Sequence, residues 1–320
     1  MATRQNRSAQ RKEIKRKQRR NAIAMLTTLL ILVLAIFLVI KTDAISKLFP
    51  SQEVSSSKLS STATSSGSKA EAVNNSTQAS STTSTEKLTW VKQETPVKVP
   101  ILMYHAIHIM AAGEEANANL IVDPTTFESH LQALQNAGYY TLSPEEAYKV
   151  LTENVLPEGK KVIWLTFDDS LWDFYDIAYP LLKKYNMKAT NNVITGTVGN
   201  QGNLTLDQMK EMKANNISLQ GHTVTHPDLE YSSLENQTAE LQDSKQYLDS
   251  QLGQDTIAVA YPAGRYSSDT LTIAENSHYK LGVTTNEGLA SAADGLLSLN
   301  RVRMLPVTTA DILLQTIAVE

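Results

Sequence analysis

Apolar and polar positions along residues 97–320 follow a repeated order, a short run of apolar β-formers and then a stretch with helical spacing. "VKVPILMYHAI" (97–107) and "KKVIWLTFDD" (160–169) read as buried strands. "DPTTFESHLQALQNAGY" carries helix signals at both ends, with Asp123 as cap, Pro124 at the first helical position and Gly138 at the close. Ser143 and Glu146 in "SPEEAYKVLTE" have the spacing of a capping box. Helical "FYDIAYPLLKKYN" precedes strand "KATNNVIT", and helical "TLDQMKEMKANN" precedes strand "ISLQGHT". The long amphipathic "SSLENQTAELQDSKQYLDSQLG" leads into strand "DTIAVAYP". Helix "SSDTLTIAENS", strands "KLGVTT" and "LNRVRM", and a helix near "TADILLQTIAV" complete the pattern. Repeated β–α units predict an α/β fold with a parallel sheet covered by helices. About seven such units without a Gly-rich phosphate loop favour a barrel over an open dinucleotide-binding sheet, and neither G-x-G-x-x-G nor G-x-x-x-x-G-K-[ST] occurs.

The preceding residues are of another kind. Residues 1–20 carry nine Lys/Arg against the single acid Glu13, and "NAIAMLTTLLILVLAIFLVI", Asn21–Ile40, carries no charge. Twenty helical residues span about 30 Å, the hydrocarbon thickness of a bilayer. The pattern predicts a basic cytoplasmic tail (1–20) and a transmembrane anchor (21–41), with the remainder outside the cell membrane. A cleaved signal peptide is the competing reading, "TDA" (42–44) serving as cleavage site, but the apolar run is longer than such signals use. Over Ser51–Glu86 about half the residues are Ser or Thr, so residues 42–96 read as a disordered tether and 97–320 as one domain.

Charge and cysteine content narrow the function classes. Setting the basic tail apart leaves 20 basic and 32 acidic residues, a net −12 with no electrostatic footprint for nucleic acid. The chain has no cysteine, which excludes thiol catalysis, Cys-bound zinc and disulfide stapling.

In a β/α barrel, chemistry gathers at the C-terminal ends of strands. Tyr104–His105, Asp168–Asp169, His222, His226, Tyr261–Pro262 and Arg301 fall there. His222 and His226 lie four apart in "SLQGHTVTHPDL". On an extended strand that separation is about 13 Å, too far for one metal ion to bridge. The pair can chelate only if the chain bends, which Gly221 and Pro227 permit. A zinc protease would require a glutamate in H-E-x-x-H, where this chain has Thr223.

Together these residues resemble the polysaccharide deacetylases of the NodB-homology type, carbohydrate esterase family 4. "LTFDD" resembles the family's first motif, "HTVTH" its second, "YPAGRY" (261–266) its third, and "PILMYHAI" the first strand of its exopolysaccharide and cell-wall branch. The resemblance covers 97–320. It implies a distorted (β/α)7 barrel and metal-dependent removal of acetyl groups from a glycan, peptidoglycan or poly-N-acetylglucosamine in type. It implies that Asp169, His222 and His226 hold a divalent metal, zinc foremost, with cobalt, manganese or nickel also compatible with a His2Asp set. It assigns Asp168 as the general base and a backbone N–H near Ala263 to the oxyanion, with Tyr261 and Pro262 lining the substrate site. It further implies an acetylated polysaccharide partner and a catalytic domain that acts as a monomer.

Several positions depart from the family. Gln315 in "ILLQ" stands at the apparent place of the family's C-terminal Leu-x-His, so His105 is the candidate acid, the alternative being that it only packs and hydrogen-bonds. Ser170 replaces a usual Gly, where a left-handed backbone would be strained. Ala263 replaces a common aromatic, and Ala260 stands where an arginine often precedes the third motif. Arg301 can orient Asp168 from another strand or pair with a surface acid. Gln315, Ser170 and Ala263 leave open a non-catalytic glycan-binding protein on the same fold; an intact Asp168 argues against it.

Overall fold

The structure is a computed structural model that describes residues 88–319. The expected basic tail, membrane anchor and most of the tether lie outside the described residues, among which no helix is long and apolar enough to cross a membrane.

Seven strands close a ring: β2 (Ile101–Tyr104), β7 (Lys161–Phe167), β8 (Ala189–Val193), β9 (Ile217–Gly221), β10 (Ala258–Ala260), β11 (Leu281–Glu287) and β12 (Leu299–Arg303). Every neighbouring pair in the ring is parallel, and β2 pairs with both β7 and β12 to shut it. The barrel is distorted, because β9 meets β10 only at Gly221–Val259 and the β11–β12 register shifts between Val283 and Glu287. This is the (β/α)7 architecture expected above.

The covering helices are α1 (Pro124–Asn136), α2 (Pro144–Glu153), α3 (Tyr179–Lys184), α4 (Leu206–Lys213), α5 (Leu234–Leu252), α6 (Ser268–Asn276) and α7 (Ala310–Thr316). Their ends follow the sequence signals. Asp123 accepts from the Thr125 N–H with Pro124 at the first position, and Ser143 and Glu146 form the reciprocal capping box. The segment read as one helix from Phe174 begins instead with a π-turn, Phe174–Ala178, in which the Tyr179 N–H reaches Phe174 O. Pro180 explains the widening: it has no N–H to donate, and its ring crowds the carbonyl four residues back.

Short elements escaped the sequence pattern. Strand β5 (Tyr139–Thr141) adds outside the ring on β7, and β3 (Ala106–Ile107) pairs with β4 (Ile121–Val122). Strand β1 (Trp90–Lys92) pairs antiparallel with β6 (Val155–Pro157), so ordered structure begins ahead of the boundary expected at residue 97. Trp90 packs against the buried cluster that includes Ala147, Val150 and Leu151 of α2, burial that a Ser/Thr-rich tether could not supply.

Side chains alternate across the barrel wall. Ile101, Trp164, Ala258, Ala260, Leu281, Val283 and Leu299 form one buried cluster. The intervening Leu102, Tyr104, Ile163, Leu165, Phe167, Leu219 and Val302 join Phe127, Leu131 and Leu134 of α1 in another. The first set fills the barrel and the second seals it to the helices. Continuing the inward parity toward the strands' C-terminal ends brings up His105, Asp168, Asn192, His222 and Arg301. The polar residues thus cap an apolar interior.

Candidate active site

Arg301 and Asp168 lie on strands that are not neighbours, so their contact crosses the barrel mouth. Both are buried. The guanidinium donates from Nη1 to Asp168 Oδ1 (2.9 Å) and from Nη2 to Oδ2 (2.7 Å). It also donates from Nε to Thr284 O (2.7 Å) and from Nη1 to Thr166 Oγ1 (3.1 Å). Asn192 Nδ2 donates to Asp168 Oδ1 at 2.8 Å. Burial alone would raise the Asp168 carboxyl, but the charge and hydrogen bonds of Arg301 outweigh it and hold the group far below the usual carboxylate range. Oδ1 takes two donors and Oδ2 one, which leaves a lone pair on Oδ2. Arg301 therefore orients Asp168 rather than pairing with a surface acid.

Asp169 and the two histidines converge beside this pair. Asp169 Oδ1 lies 3.4 Å from His222 Nε2 and 3.7 Å from His226 Nε2. One ligand atom from each residue lies within 4.8 Å of the others. Ligand bonds of ~2.1 Å in a tetrahedron set ligand atoms about 3.4 Å apart, which the two Asp169–His distances approach, while the widest separation in the set, up to 4.8 Å, has to close for one ion to be held. His222 Nδ1 donates to Ala260 O at 2.7 Å. A carbonyl only accepts, so Nδ1 carries a proton and Nε2 is the nitrogen that faces Asp169. With Nε2 unprotonated, two acceptors face each other there, an arrangement that a cation can bridge. Burial pulls the His222 imidazole down, but Asp169 and Asp168 more than offset this and raise it. Burial, with the neighbouring His222 charge, lowers His226.

The bend required of "HTVTH" is present. Strand β9 ends at Gly221, Thr223 has φ +65° and His226 φ +57°, and the two imidazole centroids stand 4.8 Å apart. Left-handed backbone at a β-branched residue costs on the order of 1–3 kcal/mol and survives only where the surroundings hold it. Asp169 (φ +75°) and Ser170 (φ +51°) are left-handed as well, the strain expected where the family has Gly. Asn203 Nδ2 and the Leu204 N–H, both on Ser170 O, fasten that turn.

His105 continues the inward face of β2 and is half-buried, without a hydrogen-bond partner among the described residues. Burial lowers its basicity, opposed by the Asp168 and Asp169 charges, which places the imidazole in the field of the site. Ala263 is exposed on the turn after β10 with φ +51°.

Two expectations need correction. Tyr261 does not face substrate: it has the outward parity of Val259, is fully buried with Ile273 and Tyr279, and donates its hydroxyl to Leu297 O at 2.9 Å. Pro262 is buried too, so only the backbone of this segment and Ala263 reach the mouth. Gln315 is exposed on α7, whose neighbouring Leu314 and Ala318 line a cavity with Lys160 and Lys161 at the start of β7, the end of the barrel away from Asp168. It does not occupy a catalytic position. Asn192 was missed, although a polar residue in the apolar strand "KATNNVIT" at the same level as Asp168 was the available signal.

Comparisons with known proteins point to one family. The family model described as polysaccharide deacetylase matches residues 156–282. "Putative polysaccharide deacetylase YxkH" of Bacillus subtilis is 43% identical over 217 residues, covering 68% of this chain and 75% of that protein. The poly-beta-1,6-N-acetyl-D-glucosamine N-deacetylase of Staphylococcus aureus is 28% identical over 57% of this chain and 66% of its own length. Among solved structures, the Streptococcus pyogenes deacetylase PplD in complex with acetate is 62% identical with a TM-score of 0.68, over 70% of this chain and all of that one. The chain belongs to the polysaccharide deacetylase family. It is a hydrolase of polysaccharide acetyl groups.

Proposed function

We propose that this protein removes N-acetyl groups from a cell-wall or extracellular polysaccharide, of peptidoglycan or poly-N-acetylglucosamine type, with a divalent metal held by Asp169, His222 and His226. The observation that carries the reading is the buried Asp168 carboxylate, oriented by Arg301 and Asn192 beside the Asp169, His222 and His226 cluster. A site that only bound glycan would have no use for a buried base kept ionised at such cost. When bound, the metal, zinc foremost, supplies Lewis acidity for the acetyl carbonyl and for water. Asp168 accepts the proton of the attacking water at the free lone pair of Oδ2. The Ala263 N–H donates to the oxyanion as the carbonyl carbon becomes tetrahedral. His105, taking up a proton in the field of Asp168 and Asp169, passes it to the departing amine from the end of β2, beside Asp168. The acetate in complex with the S. pyogenes relative supports this chemistry, since acetate is the second product. The S. aureus relative's named substrate supports a glucosamine polymer.

The expected anchor at Asn21–Ile40 and the tether after it suit action on a surface glycan, outside the cell membrane, by a monomeric catalytic domain. The test is acetate release by the full-length protein from peptidoglycan, chitooligosaccharides and poly-β-1,6-N-acetylglucosamine, with and without a chelator. Chelator-sensitive release from one of them is expected. No release from any of them by metal-loaded protein would overturn the proposal in favour of a glycan-binding role.

A further inference from the structure

The bend that presents His222 and His226 is held from outside. Its left-handed residues, Thr223 and His226, would relax toward extended or right-handed backbone if unsupported, and the imidazoles would part. On one side, the Thr195 N–H donates to Thr223 O (3.1 Å) and the Gly196 N–H to Val224 O (2.9 Å). On the other side stands Glu240 of α5, a carboxylate 6% exposed. Its Oε2 accepts the N–H groups of Val224 (2.7 Å) and Thr225 (2.8 Å), and its Oε1 accepts the Thr225 hydroxyl (2.5 Å). Within the bend, the His226 N–H closes on Thr223 Oγ1 at 3.0 Å. Three donors converge on one side chain that lies some fifteen residues further along the chain.

We infer that Glu240 is a positioning residue for the divalent-metal pocket, fixing the distance between His222 and His226 through the backbone that joins them. The inference rests on the proposed reading of Asp169, His222 and His226 as metal ligands. Glu240 is not itself a ligand, because its oxygens are turned to Val224 and Thr225. Val224 is half-buried and Thr225 exposed, so water can take over their N–H groups when the carboxylate is removed. The loss then falls on the geometry of the bend more than on the fold.

The test is the zinc affinity of the full-length protein, measured by competition with a chromophoric chelator, in three variants with thermal melting of each metal-free form. Glu240→Met keeps the length and removes the acceptors. Glu240→Gln keeps an oxygen for the two N–H groups, while its amide donates to a reoriented Thr225 hydroxyl. Gln237→Ala loosens the same helix elsewhere, since Gln237 Oε1 accepts the Thr270 hydroxyl at 2.5 Å. Outer-shell groups of this kind change metal affinity by about 10- to 100-fold. Glu240→Met is therefore expected to weaken zinc at least tenfold, with Glu240→Gln within about threefold of wild type and Gln237→Ala unchanged in affinity however much it lowers the melting midpoint. Affinity of Glu240→Met within twofold of wild type would overturn the positioning role, as would an equal loss in Gln237→Ala or a loss in Glu240→Gln as deep as in Glu240→Met. Wild-type protein that takes up no zinc would instead overturn the metal site itself, and the role of Glu240 with it.

Discussion

Arg301 and Asp168 meet fork to fork across the barrel mouth, at 2.9 and 2.7 Å, with both side chains out of solvent. Removing one partner leaves the other charge buried and alone, which typically costs 3–5 kcal/mol, about as much as many domains can lose. Arg301→Ala is thus expected to unfold much of the protein at growth temperature. Arg301→Lys keeps the charge and loses the planar fork, so it should fold while Asp168 tilts. We expect kcat for acetate release from an active oligosaccharide to fall by about 10- to 100-fold with KM little changed, and Asp168→Asn to fall by about a thousandfold with a lowered melting midpoint, since Arg301 then stays buried beside a neutral amide. A fully active Arg301→Lys would show that the fork is structural only.

Metal removal should act on stability as well as on turnover. A ligand that binds only the folded state stabilises it by about 2.7 kcal/mol at 100 times its dissociation constant. Dialysis against a chelator should therefore lower the melting midpoint by several degrees, and zinc or cobalt should restore both the midpoint and acetate release. His222→Ala, which deletes the buried ligand bonded to Ala260 O, should abolish the zinc-dependent part of the shift.

Much of this was legible in the chain, and what was not has a common cause. The seven ring strands and their helices stand close to where apolar runs and cap signals put them, because each buries a face large enough to leave a periodic trace. Strands β1 and β5 have three residues each, too few for a period. The Asp168, Asp169, His222 and His226 cluster was legible because its residue types are rare at strand ends and recur on equivalent units. Tyr261 misled because motif proximity was read without parity: one residue after the inward Ala260 points outward. Glu240 left no trace, since an acid on an amphipathic helix looks solvated until the bend it holds is seen.

Gly196 offers a local test of how closely the bend is packed. A Cβ there would lie 2.6 Å from Val224 O, a backbone atom that cannot step aside without carrying the bend. Gly196→Ala is expected to weaken zinc binding about tenfold. Chelator competition measures this directly, and unchanged affinity would mean the bend tolerates displacement.

His108 gives stability its own pH dependence. Its Nδ1 lies 2.6 Å from the buried Asp173 Oδ2 and its Nε2 3.1 Å from Glu114 Oε2, while its ring stacks on Trp172. Burial lowers the imidazole, but hydrogen bonds to the two carboxylates outweigh it and raise the group above its ordinary 6.5. A raised folded-state value means that the stabilisation is complete below about 6.5 and is lost as pH climbs through the higher folded value. The wild-type melting midpoint should fall more than that of His108→Gln, which cannot titrate, as pH rises above about 6.5. Parallel curves for the two proteins would remove His108 from the account.

His105 is the candidate source of the proton for the leaving amine, and Gln315, an amide that cannot act as an acid, is its control. His105 stands on the inward face of β2 within the field of Asp168 and Asp169, and Gln315 lies exposed on α7. A general acid contributes about 10²- to 10⁴-fold. His105→Ala should therefore lower kcat by at least a hundredfold while leaving zinc affinity within about threefold, since the imidazole is not one of the three ligands. Gln315→Ala should leave both unchanged. A substrate with a good leaving group, such as an aryl acetate, needs no protonation of the departing atom, so the His105→Ala deficit should shrink on it while the Asp168→Asn deficit persists. Equal deficits on both substrates would assign His105 to packing.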